Sequence, residues 1–142
     1  MFIPMHRRHF LASCLGVLTL GTTRARPLRA AGRRSLRDPG HPTFRPGITA
    51  DKVLPDSDLV DYPSCKSAFE AVRKIPQIVD GIRCNCGCAE LPGFYSLLSC
   101  YESAGMARLC PICQGQGRMA YRLFTSGKTL DEIRVAIDAR YG

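Results

Sequence analysis

A chain of 142 residues and 15.6 kDa has room for one small domain with extensions and too little for a separate cofactor domain. Its formal net charge of +8 suggests a nucleic-acid or anionic-membrane binder, yet residues 1–50 carry nine of the 20 bases and only one of the 12 acids, leaving eleven of each in the remainder. A formally neutral domain lacks the phosphate neutralisation and counterion release that supply nucleic-acid affinity, so nucleic acid is excluded as a partner.

Residues 1–25 read as a signal peptide. Arg7-Arg8-His9-Phe10-Leu11 opens an apolar stretch that runs to Leu20, and its arrangement resembles the twin-arginine export signal, with Arg24 and Arg26 behind it. The stretch, at roughly a dozen residues, falls short of the ~20 needed to span a bilayer, so no transmembrane helix is expected in the mature form. Thr23-Arg24-Ala25 places small residues for cleavage after Ala25. Leu11-Ala12-Ser13-Cys14 looks like a lipoprotein box, but cleavage before Cys14 would leave a hydrophobic core of Phe10 to Ser13 alone. Residues 26–55 are rich in Arg, Pro and Gly without apolar period and read as a basic, disordered or extended linker.

From residue 56 the pattern is helical. Pro63-Ser64-Cys65-Lys66-Ser67 opens a first helix, with Ser67 and Glu70 at capping-box spacing and Ala68, Phe69, Val72 and Ile75 at helical intervals. Pro76 ends or kinks it, and Ile78, Val79 and Ile82 continue in a short second segment. Cys84-Asn85-Cys86-Gly87-Cys88 must be irregular backbone; Pro92-Gly93 then turns into a helical piece over Phe94 to Tyr101. Cys110-Pro111-Ile112-Cys113 has the form of a helix start, with Cys110 near the N-cap and Pro111 first in the helix. Met119, Ala120, Leu123 and Phe124 make its stripe, and Gly127 stops it. Thr129 and Glu132 form a second capping box, and Leu130, Ile133, Ile137 and Tyr141 share one face of the last helix. The expected fold is all-α: a small Cys-rich helical domain over residues 56–142 with irregular cysteine loops, too small for a strong apolar core and in need of cross-linking by disulfides or a metal.

All three histidines (His6, His9, His41) precede residue 50, which takes imidazole out of the expected domain and excludes hydrolytic triads and mixed His/Cys metal sites. Seven of the eight cysteines follow residue 60, so the chemistry is sulfur chemistry. Cys84, Cys86 and Cys88 bridge poorly to one another, because disulfide geometry strains across one residue, but they can converge on one ion. Cys110 and Cys113 have the gap of a thiolate pair, and Cys100 lies between the two groups. The candidate ligands are therefore Cys84, Cys86, Cys88, Cys100, Cys110 and Cys113. Cys65 stands apart, open to reading as a seventh ligand, a reactive thiol or a small buried hydrophobe, the last being the default for a lone cysteine, and it is left out of the site.

Cys84-Asn85-Cys86-Gly87-Cys88, Ser96 to Cys100, Cys110-Pro111-Ile112-Cys113 and the terminal helix from Ser126 through Arg134 to Ile137, Asp138 and Tyr141 together resemble the family named for its PCYCGC motif. The resemblance covers roughly residues 65–142. It implies a small exported bacterial protein, often a lipoprotein, and brings no established activity. The chain departs from the motif at Arg83, where the family has Pro, at Asn85, where it has Tyr, and at Ala89, where Gly follows. A second likeness, of Cys110-Pro111-Ile112-Cys113-Gln114-Gly115-Gln116-Gly117 to one zinc repeat of DnaJ-type chaperones, is a local coincidence, since those proteins use four repeats and only one copy occurs here. Gly115 and Gly117 read as close helix packing.

Three functions compete for the clustered cysteines: a metal site, a disulfide framework favoured by an oxidising compartment, and thiol–disulfide exchange at Cys110 and Cys113. Metal binding leads, because three alternate cysteines would otherwise all need partners among Cys100, Cys110 and Cys113, and because the strand–helix pattern of a thioredoxin-type motif is missing. All-sulfur donors select soft ions, Cu(I) or Zn, with a [2Fe–2S] cluster as a further option. The expected partners are a metal ion and a cell-envelope protein, the expected location the periplasm or cell envelope, and no catalytic residue is assigned.

Overall fold

The computed structural model describes residues 40–103 and 105–142. The expected signal peptide with Cys14, and the expected linker up to residue 39, lie outside the described residues. Among the described residues the chain is helical and contains no strand, as the patterning predicts. The helices are α1 (Lys66–Lys74), α2 (Pro76–Asp80), α3 (Pro111–Thr125) and α4 (Leu130–Tyr141), with short 3-10 turns before α1 and between α2 and α3. No helix among these residues is long and apolar enough to cross a membrane.

The helix ends follow from local chemistry. Ile75, at φ −139° and ψ 43°, sits before Pro76 and cannot continue α1, and Pro76 starts α2 at the position where its missing N–H costs nothing. Cys110 caps α3 with extended backbone and Pro111 is its first residue, as predicted. At the other end Gly127 takes φ +84°, so that its N–H reaches the Phe124 carbonyl at 2.9 Å and the Lys128 N–H reaches Leu123 at 3.0 Å. The Thr129–Glu132 capping box is formed in both directions. The Ser67–Glu70 box is not: α1 grows directly out of a 3-10 turn at Pro63–Cys65, which puts Ser67 inside the helix with Cys65 as its cap. The expected helical piece over Phe94 to Tyr101 is a 3-10 turn confined to Leu97–Tyr101, capped reciprocally by Ser96 and Ser99.

Packing selects a different face of α3 from the one its large apolar residues suggest. Cys113, Gln116, Gly117 and Ala120 are buried, whereas Met119 and Leu123 are half-buried and Phe124 is exposed. The reason is close approach to α1. A Cβ at Gly117 would collide with the Tyr101 hydroxyl and come within 2.8 Å of Val72 Cγ2, and one at Gly115 would meet the Tyr141 hydroxyl at 2.5 Å. Tyr101 is fully buried, with its ring edge-on to Phe69 at 4.8 Å and its hydroxyl donating to the Cys113 carbonyl at 2.7 Å. Ile133 and Ile137 bring α4 onto the same core.

The folded unit also extends beyond the expected boundary at residue 56. Residues 40–55, read as linker, belong to it: Ile48, Val53 and Leu54 are buried, and the Leu54 N–H donates to the Tyr101 carbonyl at 3.0 Å. Three apolar residues without a period gave no sequence signal for this. Imidazole returns with the segment, correcting the expectation that the domain has none. Arg83 N–H donates to His41 Nδ1 at 3.0 Å, which places the ring proton on Nε2, 2.9 Å from Asp138. Both ring nitrogens are thereby committed.

Arg45 makes the strongest tie. Its backbone N–H and guanidinium donate to the fully buried Asp80 at 2.8 and 2.7 Å, and the Ser96 hydroxyl adds a bond at 3.0 Å. Burial alone would raise the Asp80 pKa, but the bonds from Arg45 and Ser96 outweigh it and hold the carboxyl below its ordinary value. A depressed carboxylate contributes stability above the unfolded pKa of about 3.9 and loses it as pH falls through the folded value. Arg45→Ala is therefore expected to destabilise the domain by about 1–3 kcal/mol at neutral pH, with the deficit shrinking in acid. Urea unfolding of both proteins at neutral and acidic pH measures it.

Candidate metal centre

Two elements and one loop bring the sulfurs together. The loop after α2 contributes Cys84, Cys86 and Cys88, the 3-10 turn at Leu97–Tyr101 contributes Cys100, and the first turn of α3 contributes Cys113. The five Sγ atoms all lie within 4.8 Å of one another. Cys84 is 3.2 Å from Cys86, 3.4 Å from Cys100 and 3.6 Å from Cys113, while Cys86 is 3.1 Å from Cys88 and 3.4 Å from Cys113. For comparison, four sulfurs at about 2.3 Å from one tetrahedral ion stand about 3.8 Å apart. The set is thus compact enough to hold a metal ion.

Local backbone makes this convergence possible. Gly87, at φ +94°, turns the loop between Cys86 and Cys88 through the left-handed region that a side chain would resist. The loop is pinned on both sides: Arg83 N–H to His41, Leu97 N–H to the Ile82 carbonyl at 2.7 Å, and Asn85 Nδ2 to Asp138 at 3.2 Å. Asn85 N–H donates to Gln116 Oε1 at 3.4 Å. Gln116 is fully buried one turn beyond Cys113, and its Nε2 has no hydrogen-bond partner among the described residues.

The sulfurs do not ionise alike. Cys100 donates its S–H to Cys84, and that bond, the bond shared with Cys113 and the Cys86 backbone N–H hold the Cys84 thiol down to about 2 despite its burial. Burial and the bonds with Cys88 and Cys84 push Cys86 up to about 12. At Cys100 the bond with Cys113 pulls toward the thiolate, but the bond to Cys84, burial and the charges of Cys84 and Cys88 prevail and raise it. Bonds to Cys100 and Cys84, then burial, raise Cys113. Of the sulfurs with a resolved shift, Cys84 is therefore the one whose surroundings favour the thiolate. Cys113 belongs to the first turn of α3, where backbone amides lack intrahelical acceptors and the helix dipole favours negative charge.

Cys110, the sixth candidate ligand, lies outside the five-sulfur group. As the N-cap it has extended backbone, φ −91° and ψ 110°, so its side chain departs in a different direction from that of the helical Cys113. Cys65 is fully buried and donates its S–H to the Tyr62 carbonyl at 3.0 Å, a structural position. All seven described cysteines are unbridged. Sequence reasoning missed Gln116 and His41. The signal for Gln116 was its place three residues after Cys113, on the same helical face; His41 carried none, because its segment shows no period.

In the reduced chain, ultraviolet thiolate absorbance should report about one thiolate equivalent persisting far into acid, set by the depressed Cys84. Cys84→Ser should abolish that equivalent, and a pH titration of both proteins checks it. The chain matches no protein-family model, no curated protein and no solved structure.

Proposed function

We propose that this chain is an exported protein that binds a soft metal ion, Cu(I) or Zn, through cysteine thiolates, for storage, delivery or sensing. The observation that carries the reading is the convergence of Cys84, Cys86, Cys88, Cys100 and Cys113 on one centre. Sulfur is the donor that soft ions prefer, and among the described residues no carboxylate or imidazole joins the group to favour a hard one. A [2Fe–2S] cluster needs four of these thiolates and is the third candidate cargo. The Arg7-Arg8 leader supports export to the periplasm or cell envelope, where a protein partner would receive or supply the ion, and the cysteine order supports kinship with the PCYCGC-motif proteins.

The test is metal titration of the reduced chain with Cu(I) and with Zn, after elemental analysis of protein from its native compartment. Cys86→Ser should weaken binding at least tenfold, whereas Cys65→Ser and Cys110→Ser leave it within a factor of about two. Because ligation displaces thiol protons, affinity should fall as pH is lowered. Native protein with three disulfides, no metal and no gain of metal after mild reduction would refute this function.

A further inference from the structure

A single tetrahedral ion takes four thiolates, and this centre offers five. The fifth is not a remote spare, because the sulfurs form two overlapping groups. Cys84, Cys100 and Cys113 make a deep triad, each at most 1% exposed, with Cys84 at 3.4 Å and 3.6 Å from the other two. Cys86 and Cys88 make a shallower pair 3.1 Å apart, with Cys86 half-buried at the rim. Two contacts link the groups, Cys84 to Cys86 at 3.2 Å and Cys113 to Cys86 at 3.4 Å, and Cys84 makes the closer one.

Coordination arithmetic separates the candidate ions. Two three-coordinate Cu(I) ions need six metal–sulfur bonds, which five thiolates supply when one of them bridges. Two tetrahedral Zn ions would need eight, requiring three bridges among the same five sulfurs. We propose, resting on the soft-metal reading above, that the centre is a binuclear Cu(I) site: a deep ion on Cys84, Cys100 and Cys113, and a rim ion on Cys86, Cys88 and the bridging sulfur of Cys84. The two positions differ in access. The deep ion is enclosed by the core, and the rim ion meets solvent through Cys86, so the rim position fills and empties first. Zn, which would need three bridging sulfurs or added water ligands to be doubled on this donor set, is expected to load once.

The test uses the reduced full chain under anaerobic conditions, titrated with Cu(I) against bathocuproine disulfonate and, separately, with Zn, with stoichiometry read by native mass spectrometry. Wild type is expected to take two Cu(I) and one Zn. Cys86→Ser and, independently, Cys88→Ser should each retain one Cu(I), and Cys110→Ser should retain both, with circular dichroism showing that each variant keeps its helices. X-ray absorption should show a short Cu–Cu vector in the doubly loaded wild type and none in Cys86→Ser. Saturation at one Cu(I), or two Cu(I) retained in both rim variants, overturns the binuclear assignment while leaving the soft-metal reading intact. Failure to bind Cu(I) at all overturns both.

Discussion

Five thiols packed against one another within 4.8 Å impose a constraint on the backbone before they impose any chemistry. Sulfurs can be held that close only if the chain approaches from several directions, and the domain provides three: the loop after α2, the 3-10 turn at Leu97–Tyr101 and the first turn of α3. Each approach needs its own anchor. Tyr101 reaches past Phe69 to the Cys113 carbonyl, fixing the turn that carries Cys100 against the helix that carries Cys113. Gly117 leaves the space for that ring, which is why small residues, and not the larger Met119 and Phe124, form the buried face of α3.

The N-terminal segment completes the enclosure. Arg45 neutralises Asp80, the last residue of α2 and the one from which the cysteine loop departs four positions later. His41 accepts the Arg83 N–H beside Cys84, and its Nε2 bonds to Asp138, which also accepts from Asn85. One chain of hydrogen bonds therefore runs from the segment before residue 42 to α4 by way of the cysteine loop. A carboxylate buried like Asp80 is costly to leave unpaired, so residues 40–55 stabilise the end of α2 from which the cysteine loop departs.

Much of this was legible in the residues. The positions of Pro76, Pro111 and Gly127, and the Thr129–Glu132 pair, placed helix ends because their backbone restrictions act locally. Five of the six candidate ligands could be grouped from spacing alone, since three alternate cysteines have few other uses. Longer-range facts were not legible. The exclusion of Cys110 depends on the direction a cap side chain takes, the burial of Ile48, Val53 and Leu54 depends on surfaces formed later in the chain, and the failure of the Ser67–Glu70 box depends on the 3-10 turn that precedes α1. Periodicity reports a face toward a partner surface; it is silent where a segment packs without regular structure.

The electrostatics of the centre bear on what it can do. A thiolate buried among neutral groups would be expensive, and here four thiols surround Cys84, with Cys100 donating its S–H directly to it. That arrangement stabilises the first charge and opposes the next ones, as the raised values at Cys86, Cys100 and Cys113 record. A cation placed among the sulfurs would remove the opposition, because it would let several thiolates form at once. Ligand binding at this centre is thus coupled to proton release by construction.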